Sequence, residues 1–385
     1  MNYLFVGGFD LPNRNAAAQR IMAIADMLAM NGHLVDIIGV TSDPRAERSF
    51  VEHSHGIRIA SSQYPETPLH WLKYLTSIKR IKTISHLSTY DVVLCYNFPA
   101  VAFINLRINK LYYKYTLIAD ITEWYRSDFG GPAFRIMKYI DVTIRMYLAP
   151  VLADRLIVAS QFLQSFYRNS HVLVLPTLVP RHKFHRTYSE ASSTQDGLTF
   201  IYAGFPFYKA DDAATILKDR IDHVVESFSK LERSHWTLNI FGITEADYCK
   251  YLKKPANRLF GDRIRFHGKV DRAIILEQYL NSSYSVFFRD QSRSNLAGFP
   301  TKLSESFDMG VPVITNDVGD SKEYVGRDRG FVFPSLAQEY HLHLRDVIIR
   351  GAVHARRLRR NILAHNPLNA TYWIDKVNRF MTLEE

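Results

Sequence analysis

The stretch from Arg289 to Ile314 holds the densest set of residues able to do chemistry. Arg289-Asp290 ends an apolar run, and Gly298-Phe299-Pro300-Thr301 leads into a helical pattern that carries Lys302 and Glu305. Gly298 lets backbone N–H groups come close to a ligand. Proline at the start of a helix sacrifices no useful hydrogen bond. The helix N-terminus that follows offers free N–H groups and a positive dipole end to a diphosphate. Lys302 in the first turn opposes that dipole, a placement that a bound phosphate would explain. Glu305 lies three residues on, on a neighbouring position of the same face, and can accept two hydrogen bonds from ribose hydroxyls. The plainer reading is a loop with an ordinary exposed lysine and glutamate.

Such a segment needs a strand before it and a helix after it, and the chain repeats that unit throughout. In the first half, apolar runs at Tyr3–Gly8, Val35–Val40, Asp91–Tyr96, Thr116–Ile121, Arg155–Ala159 and Val172–Leu175 read as strands. Helical patterns lie between them at about 16–31, 72–87, 101–111, 134–152 and 161–167. Continuous apolar strands alternating with helices predict parallel sheets covered on both faces. Pro176, Pro180 and the polar stretch 187–197 interrupt the alternation, which restarts at Leu198–Ala203 and Gly204. The second half then shows a helix over 218–231 and strands at 237–241, 264–267, 285–288, 313–315 and 331–333. The fold class expected is α/β, with two Rossmann-like doubly wound domains. Residues 1–180 form the first, 197–366 the second, and a last helix within 368–385 returns to pack on the first. Ligands of such folds sit at the carboxyl ends of the strands.

Composition narrows the function classes. At 385 residues and 47% hydrophobic content the chain can fill two cores and is not disordered. Cys95 and Cys249 make no disulfide framework and no zinc spacing. No apolar run approaches the ~20 residues of a spanning helix, and Met1–Gly8 reads as a strand, not a signal peptide. A cytoplasmic protein is expected, with any membrane contact peripheral. The net charge of +10 favours anionic partners. Between Pro68 and Tyr115, Lys73, Lys79, Arg80, Lys82, Arg107, Lys110 and Lys114 face one acid, Asp91. With Trp71, Tyr74, Tyr112 and Tyr113 they suit an anionic membrane surface. No DNA- or RNA-binding motif accompanies the charge, so nucleic acid is not an expected partner.

Gly298-Phe299-Pro300-Thr301-Lys302-Leu303, then Glu305-Ser306 and Gly310-Val311-Pro312-Val313-Ile314, resembles the donor-site signature of retaining GT-B glycosyltransferases of family four. Many enzymes of bacterial capsule, lipopolysaccharide and cell-wall glycan synthesis belong there. Asn15–Ile21 with Gly32-His33-Leu34-Val35, Phe266–Val270, and Gly319-Asp320 with Glu323 are similar to further parts of that family. Two positions depart from its pattern. Ala297 stands where a second glutamate often precedes Glu305, and Phe205 follows Gly204 where the family often has arginine.

The resemblance implies a soluble glycosyltransferase that moves a sugar from a nucleotide-diphosphate sugar to a glycan or lipid-linked acceptor, with retention, in cell-surface polysaccharide synthesis. It implies that Lys302, Arg289 and Lys218 (with Lys209 as the alternative) stabilise charge on the departing β-phosphate. No Asp-x-Asp motif occurs, so cations of the protein are expected in place of a metal, and no cofactor. Gly204, Gly298, Phe299, Pro300, Thr301 and Glu305 would line the donor, and Gly8 would let backbone approach donor or acceptor. Asp120 and Glu123 end a strand, and one or the other would orient an acceptor hydroxyl. Helix capping or a buried ion pair is the other role open to both. Two other functions fit the same fold: a catalytically inactive scaffold, which Ala297 favours, and a nucleotide-sugar epimerase.

Overall fold

The computed structural model describes residues 1–12, 15–43, 49–125, 131–167, 171–178, 197–207, 217–232, 235–254, 261–335 and 339–382. Contacts divide the chain into two compact units. The first comprises Met1–His182, Ala297–Phe299 and Asn369–Glu385; the second comprises Lys183–Leu296 and Pro300–Leu368. Most of the polar stretch 187–197, and Pro180 with it, lies outside the described residues.

The first unit runs β1 (Asn2–Gly7), α1 (Ala16–Met30), β2 (Leu34–Thr41), β3 (Val51–Ser54), β4 (Ile57–Gln63), α2 (Pro68–Thr76) and α3 (Lys79–Ile84). It continues with β5 (Val92–Tyr96), α4 (Ala100–Asn109), β6 (Thr116–Ile121), α5 (Pro132–Leu152), β7 (Arg155–Val158), α6 (Gln161–Tyr167) and β8 (Val172–Val174). The strands form one sheet in the order β3-β4-β2-β1-β5-β6-β7-β8. All pairs are parallel except the edge pair β3–β4. Tyr3, Leu4, Phe5 and Val6 are buried in succession, as a strand covered on both faces requires. Asn15 caps α1 by accepting from Ala18 N at 2.8 Å.

A single helix over 72–87 does not form. The chain leaves helical geometry at Ser77, whose ψ is 142°, and α3 starts again with Lys79 N donating to Ser77 Oγ at 3.1 Å. Ile78 occupies the N-cap of α3 without a side-chain cap, and the Ser77 hydroxyl offers a local partner to the backbone where the first helix ends, a break that helical periodicity alone does not register. The β3–β4 hairpin carries too few apolar residues to stand out in the sequence: β3 is exposed along its whole length.

The second unit runs β9 (Leu198–Ala203), α7 (Ile221–Ser229), β10 (Trp236–Phe241), α8 (Glu245–Leu252), β11 (Ile264–Gly268), α9 (Arg272–Leu280) and β12 (Tyr284–Val286). Then follow α10 (Arg293–Ala297, whose last residue falls in the first unit's set), α11 (Thr301–Asp308), β13 (Val313–Asn316), α12 (Ser321–Val325), β14 (Gly330–Phe333) and α13 (Tyr340–Ala364). Its sheet is parallel in the order β11-β10-β9-β12-β13-β14. Phe200, Phe228 and Tyr284 are buried together at ring separations of 4.9 and 5.7 Å. Burying each apolar side chain of that size contributes about 1.5–3 kcal/mol.

The segment 218–220, expected to be helical, is not. Lys218 N donates to Pro206 O at 2.7 Å, and Arg220 N donates to Phe288 O at 2.7 Å. These bonds tie the segment to the residues that follow β9 and β12, and α7 begins only at Ile221.

The final helix, α14 (Ile374–Met381), lies in the first unit against α1. His33 Nε2 meets Asn378 Oδ1 at 2.9 Å, and Arg155 Nη1 donates to Phe380 O at 2.7 Å. No helix of the described residues is long and apolar enough to cross a membrane.

Candidate active site

In the second unit, three elements converge on one carboxylate. Asp219 precedes α7, is fully buried, and accepts from Lys302 Nζ at 2.6 Å, Arg289 Nε at 2.9 Å and Tyr202 Oη at 3.1 Å. Tyr202 belongs to β9, Arg289 follows β12, and Lys302 stands in the first turn of α11. Asn316, at the end of β13, holds Arg289 in place: its Oδ1 accepts from Arg289 N at 2.9 Å and its Nδ2 donates to Arg289 O at 2.7 Å. Burial alone would push the Asp219 carboxyl up. The Lys302 and Arg289 charges, with the Lys302 hydrogen bond, outweigh it and hold Asp219 well below the usual carboxylate range. Burial also lowers the Lys302 amine, and Asp219 opposes that shift.

Asp219 thus supplies the counter-charge for Lys302 that the sequence alone would leave to a ligand. One carboxylate faces two hydrogen-bonded cations, and the exposed Lys218 acts on the same group. The cluster carries surplus positive charge and can attract an anion. Pro300 occupies the N-cap of α11 and gives it no side-chain hydrogen bond, so the helix presents uncapped N–H groups beside that charge.

Gly204 explains how Lys302 fits. Its φ is 137°, and a Cβ there would stand 2.5 Å from Lys302 Nζ. Gly242, after β10, has a φ of 103°, and its Cβ would meet Gly204 O at 2.5 Å. Backbone therefore closes over the strand ends, leaving the amine its space.

Glu305, one turn along α11, lies 3.6 Å from Arg272 Nη2, a residue at the start of α9. Burial raises its carboxyl, and Arg272 and then Lys302 pull it back. Asp308, a further turn on, is pushed up to about 7 by burial, with Arg272 opposing and Glu305 adding to the shift. Gly298 and Thr301 are half-buried, and Phe299 and Pro300 are buried. Gly298 and Phe299 fall in the first unit's set; Pro300, Thr301, Lys302 and Glu305 fall in the second's. Ala297 is fully buried.

The first unit has its own cavity of about 530 Å³. Gly8 and Glu123 both line it, with Trp71, Tyr74, Asn97 and Arg145. Trp71 meets Tyr64 and Tyr74 edge-on at 5.6 and 5.8 Å, so three aromatic rings stand together in the wall. Asn97 adopts a φ of 41° and donates to Thr122 Oγ1 at 2.6 Å. Its carbonyl accepts from Arg145 Nη1 at 2.8 Å. Among the described residues, Arg145 Nε is buried without a hydrogen-bond partner. Burial, then the Glu123 charge, raises the hydroxyls of Tyr96 and Tyr125. A Cβ on Gly8 would make only an ordinary contact with Tyr74 Oη at 3.7 Å, so nothing here demands glycine.

Asp120 stands apart from that cavity's wall. It is fully buried in a two-bond ion pair with Arg20, at 2.9 and 2.8 Å. Arg20 also donates to Leu175 O and Pro176 O at 3.0 and 2.9 Å. Of the roles open to Asp120, the buried ion pair is the one observed. Arg107 and Lys110, counted among the free basic residues, are both held on Asp154. Lys209 lies outside the described residues. The structure adds Asp219, Arg272, Tyr202, Asn97 and Arg145 to the candidate groups. Of these only Asp219 carried a signal, as the acid beside Lys218.

Residues 212–348 match the family model described as "Glycosyl transferases group 1". No curated protein matches the chain by sequence. Among solved structures, the chain is similar to sucrose-phosphate synthase from Thermosynechococcus elongatus, with 14% identity, TM-score 0.72, and 99% and 98% of the two chains covered. It is also similar to Anabaena HepE in complex with UDP-glucose, with 14% identity, TM-score 0.65 and both chains covered in full. A glycosyltransferase from Rickettsia africae matches at 15% identity and TM-score 0.66, over 100% of this chain and 99% of the other. At such identities the likeness is one of fold, and that fold is GT-B. The matched domain makes the chain a glycosyltransferase.

Proposed function

We propose that the protein transfers a glycosyl group from a nucleoside-diphosphate sugar to a glycan or lipid-linked acceptor, with retention, in cell-surface polysaccharide synthesis. The observation that carries this reading is the pair of cations, Lys302 and Arg289, fixed on one buried carboxylate beside the uncapped start of α11. When the C1–O bond to the β-phosphate breaks, negative charge collects on the leaving nucleoside diphosphate. Cations already held in place lower that barrier without reorganising. Lys218 adds to the field, and Glu305 accepts the ribose hydroxyls. The protein's own cations do this work in place of a metal. The acceptor oxygen attacks C1 on the face the diphosphate leaves, and its proton passes to a phosphate oxygen, so no separate base is required.

The 530 Å³ cavity of the first unit suits the acceptor, with aromatic faces for the C–H side of a sugar ring and Glu123 for a hydroxyl. The protein works in the cytoplasm against the inner face of the membrane and binds no nucleic acid. Support for the membrane contact comes from exposed Leu69, Leu72, Leu111 and Tyr112 together with exposed Lys73, Lys82 and Lys114.

A thermal-shift screen against UDP, GDP, ADP and CMP tests the donor site, because a ligand of the folded state raises the melting temperature. HepE forms complexes with UDP and UDP-glucose, which puts UDP first. A selective shift with one diphosphate, followed by acceptor-dependent turnover that persists in EDTA, is expected. A folded sample that answers to no nucleotide refutes the reading.

A further inference from the structure

A second cavity of about 520 Å³ adjoins the first within the same unit and shares Tyr64 and Tyr74 with it. Its wall carries Lys73, Lys79, Arg80 and His70 and, among the described residues, no carboxylate. Glu66, which accepts from the lining residue Gln63 at 3.3 Å, is exposed and is not itself in the wall. Arg80 is half-buried, with its guanidinium 3.7 Å from the Tyr74 ring centre and 5.3 Å from that of Phe98. Its Nη1 donates to Tyr74 O at 3.3 Å, and among the described residues no acid pairs with it. Burial holds this guanidinium below its ordinary range, and no carboxylate opposes the shift. A cation withdrawn from water without a counter-ion is costly to keep. An anionic ligand would supply that counter-ion. Three cations around one space suit a dianion better than a single carboxylate.

We propose that this cavity binds a phosphoryl group of the acceptor, whose sugar occupies the neighbouring aromatic cavity. The assignment of an acceptor rests on the glycosyl-transfer reading; the phosphoryl site itself does not. Tyr64 and Tyr74 form the shared wall, so a sugar stacked there would direct a substituent toward Arg80 and Lys79. The phosphoryl group has two sources, a free sugar phosphate or a lipid headgroup.

The test uses full-length protein and calorimetric titration with glucose 6-phosphate, with glucose as the counter-probe. Flotation with phosphatidylcholine vesicles carrying phosphatidic acid forms the second arm. Glucose 6-phosphate should bind where glucose does not, and Arg80→Gln and Lys79→Gln should each weaken it about tenfold or more, the loss of one charge-assisted contact. Arg80→Lys should recover part of that loss. Lys302→Gln should leave it unchanged, because that residue does not line this cavity. Vesicle binding lost in the same two variants, with no soluble binding in the wild type, assigns the site to a lipid headgroup. Equal affinity in wild type and Arg80→Gln, loss with Lys302→Gln instead, or no binding of either probe would each overturn the proposal. UDP titration of the same samples separates the two readings. Phosphate binding without UDP binding defeats the donor assignment and leaves this site standing.

Discussion

Replacing Asp219 by asparagine keeps the shape of the side chain and removes the one charge that Lys302 and Arg289 share. At separations of 2.6 and 2.9 Å, each contact is worth about 6 kcal/mol of gross attraction at an effective dielectric constant near 20. Most of that offsets the cost of taking the groups out of water. Breaking a buried pair by removing one partner leaves a net loss of about 3–5 kcal/mol. For a unit of this size that corresponds to a fall in melting temperature on the order of 10 °C. The Asp219 carboxyl is depressed, so its contribution is complete at neutral pH. It is lost only as pH falls from its ordinary unfolded value down through the lower folded one. Neutral buffer therefore reads the full effect. In the variant two cations face each other uncompensated, and pyrophosphate should raise its melting temperature more than it raises that of the wild type. The assay is thermal unfolding of both proteins with and without pyrophosphate. A variant within about 2 °C of wild type, or an equal response to pyrophosphate, would refute the account of Asp219 as the shared counter-ion.

Glu305→Ala should weaken UDP binding about 10- to 100-fold while leaving the melting temperature of the free protein nearly unchanged, as two charge-assisted hydrogen bonds are lost; unaltered affinity in calorimetry removes Glu305 from the ribose. Gly204→Ala places a Cβ 2.5 Å from Lys302 Nζ at a φ of 137°. It should cost about 1–3 kcal/mol of stability and lower turnover by displacing the amine, and full activity in a steady-state assay would contradict this. Asp308, pushed up to about 7, binds its proton more tightly when folded. Stability should therefore decline as pH rises from about 4 through 7, by at most about 1.4 kcal/mol per unit. Asp308→Asn should flatten that slope in urea titrations across the range, and an unchanged slope assigns it to other groups.

Much of this molecule is legible as a linear pattern. Buried strands such as Tyr3–Val6 are covered on both faces and read as unbroken apolar runs, so the two doubly wound sheets can be traced without coordinates. Gly298-Phe299-Pro300-Thr301-Lys302 with Glu305 is also a local motif, since a loop and the first two turns of one helix contain it whole. Contacts between distant segments are another matter. Asp219 lies 70 residues from Arg289 and 83 from Lys302, and nothing in the spacing pairs them. Asp120 stands 100 residues from Arg20, and only the packing of α1 on the first sheet turns that acid into a buried counter-ion. Arg107 and Lys110 look like free surface charge until Asp154 is brought beside them. Residue type and local period determine which elements form, because backbone hydrogen bonds and burial act over a few residues. Which charges remain unpaired depends on how the sheet order brings distant strand ends together, and that is decided only when the chain has folded.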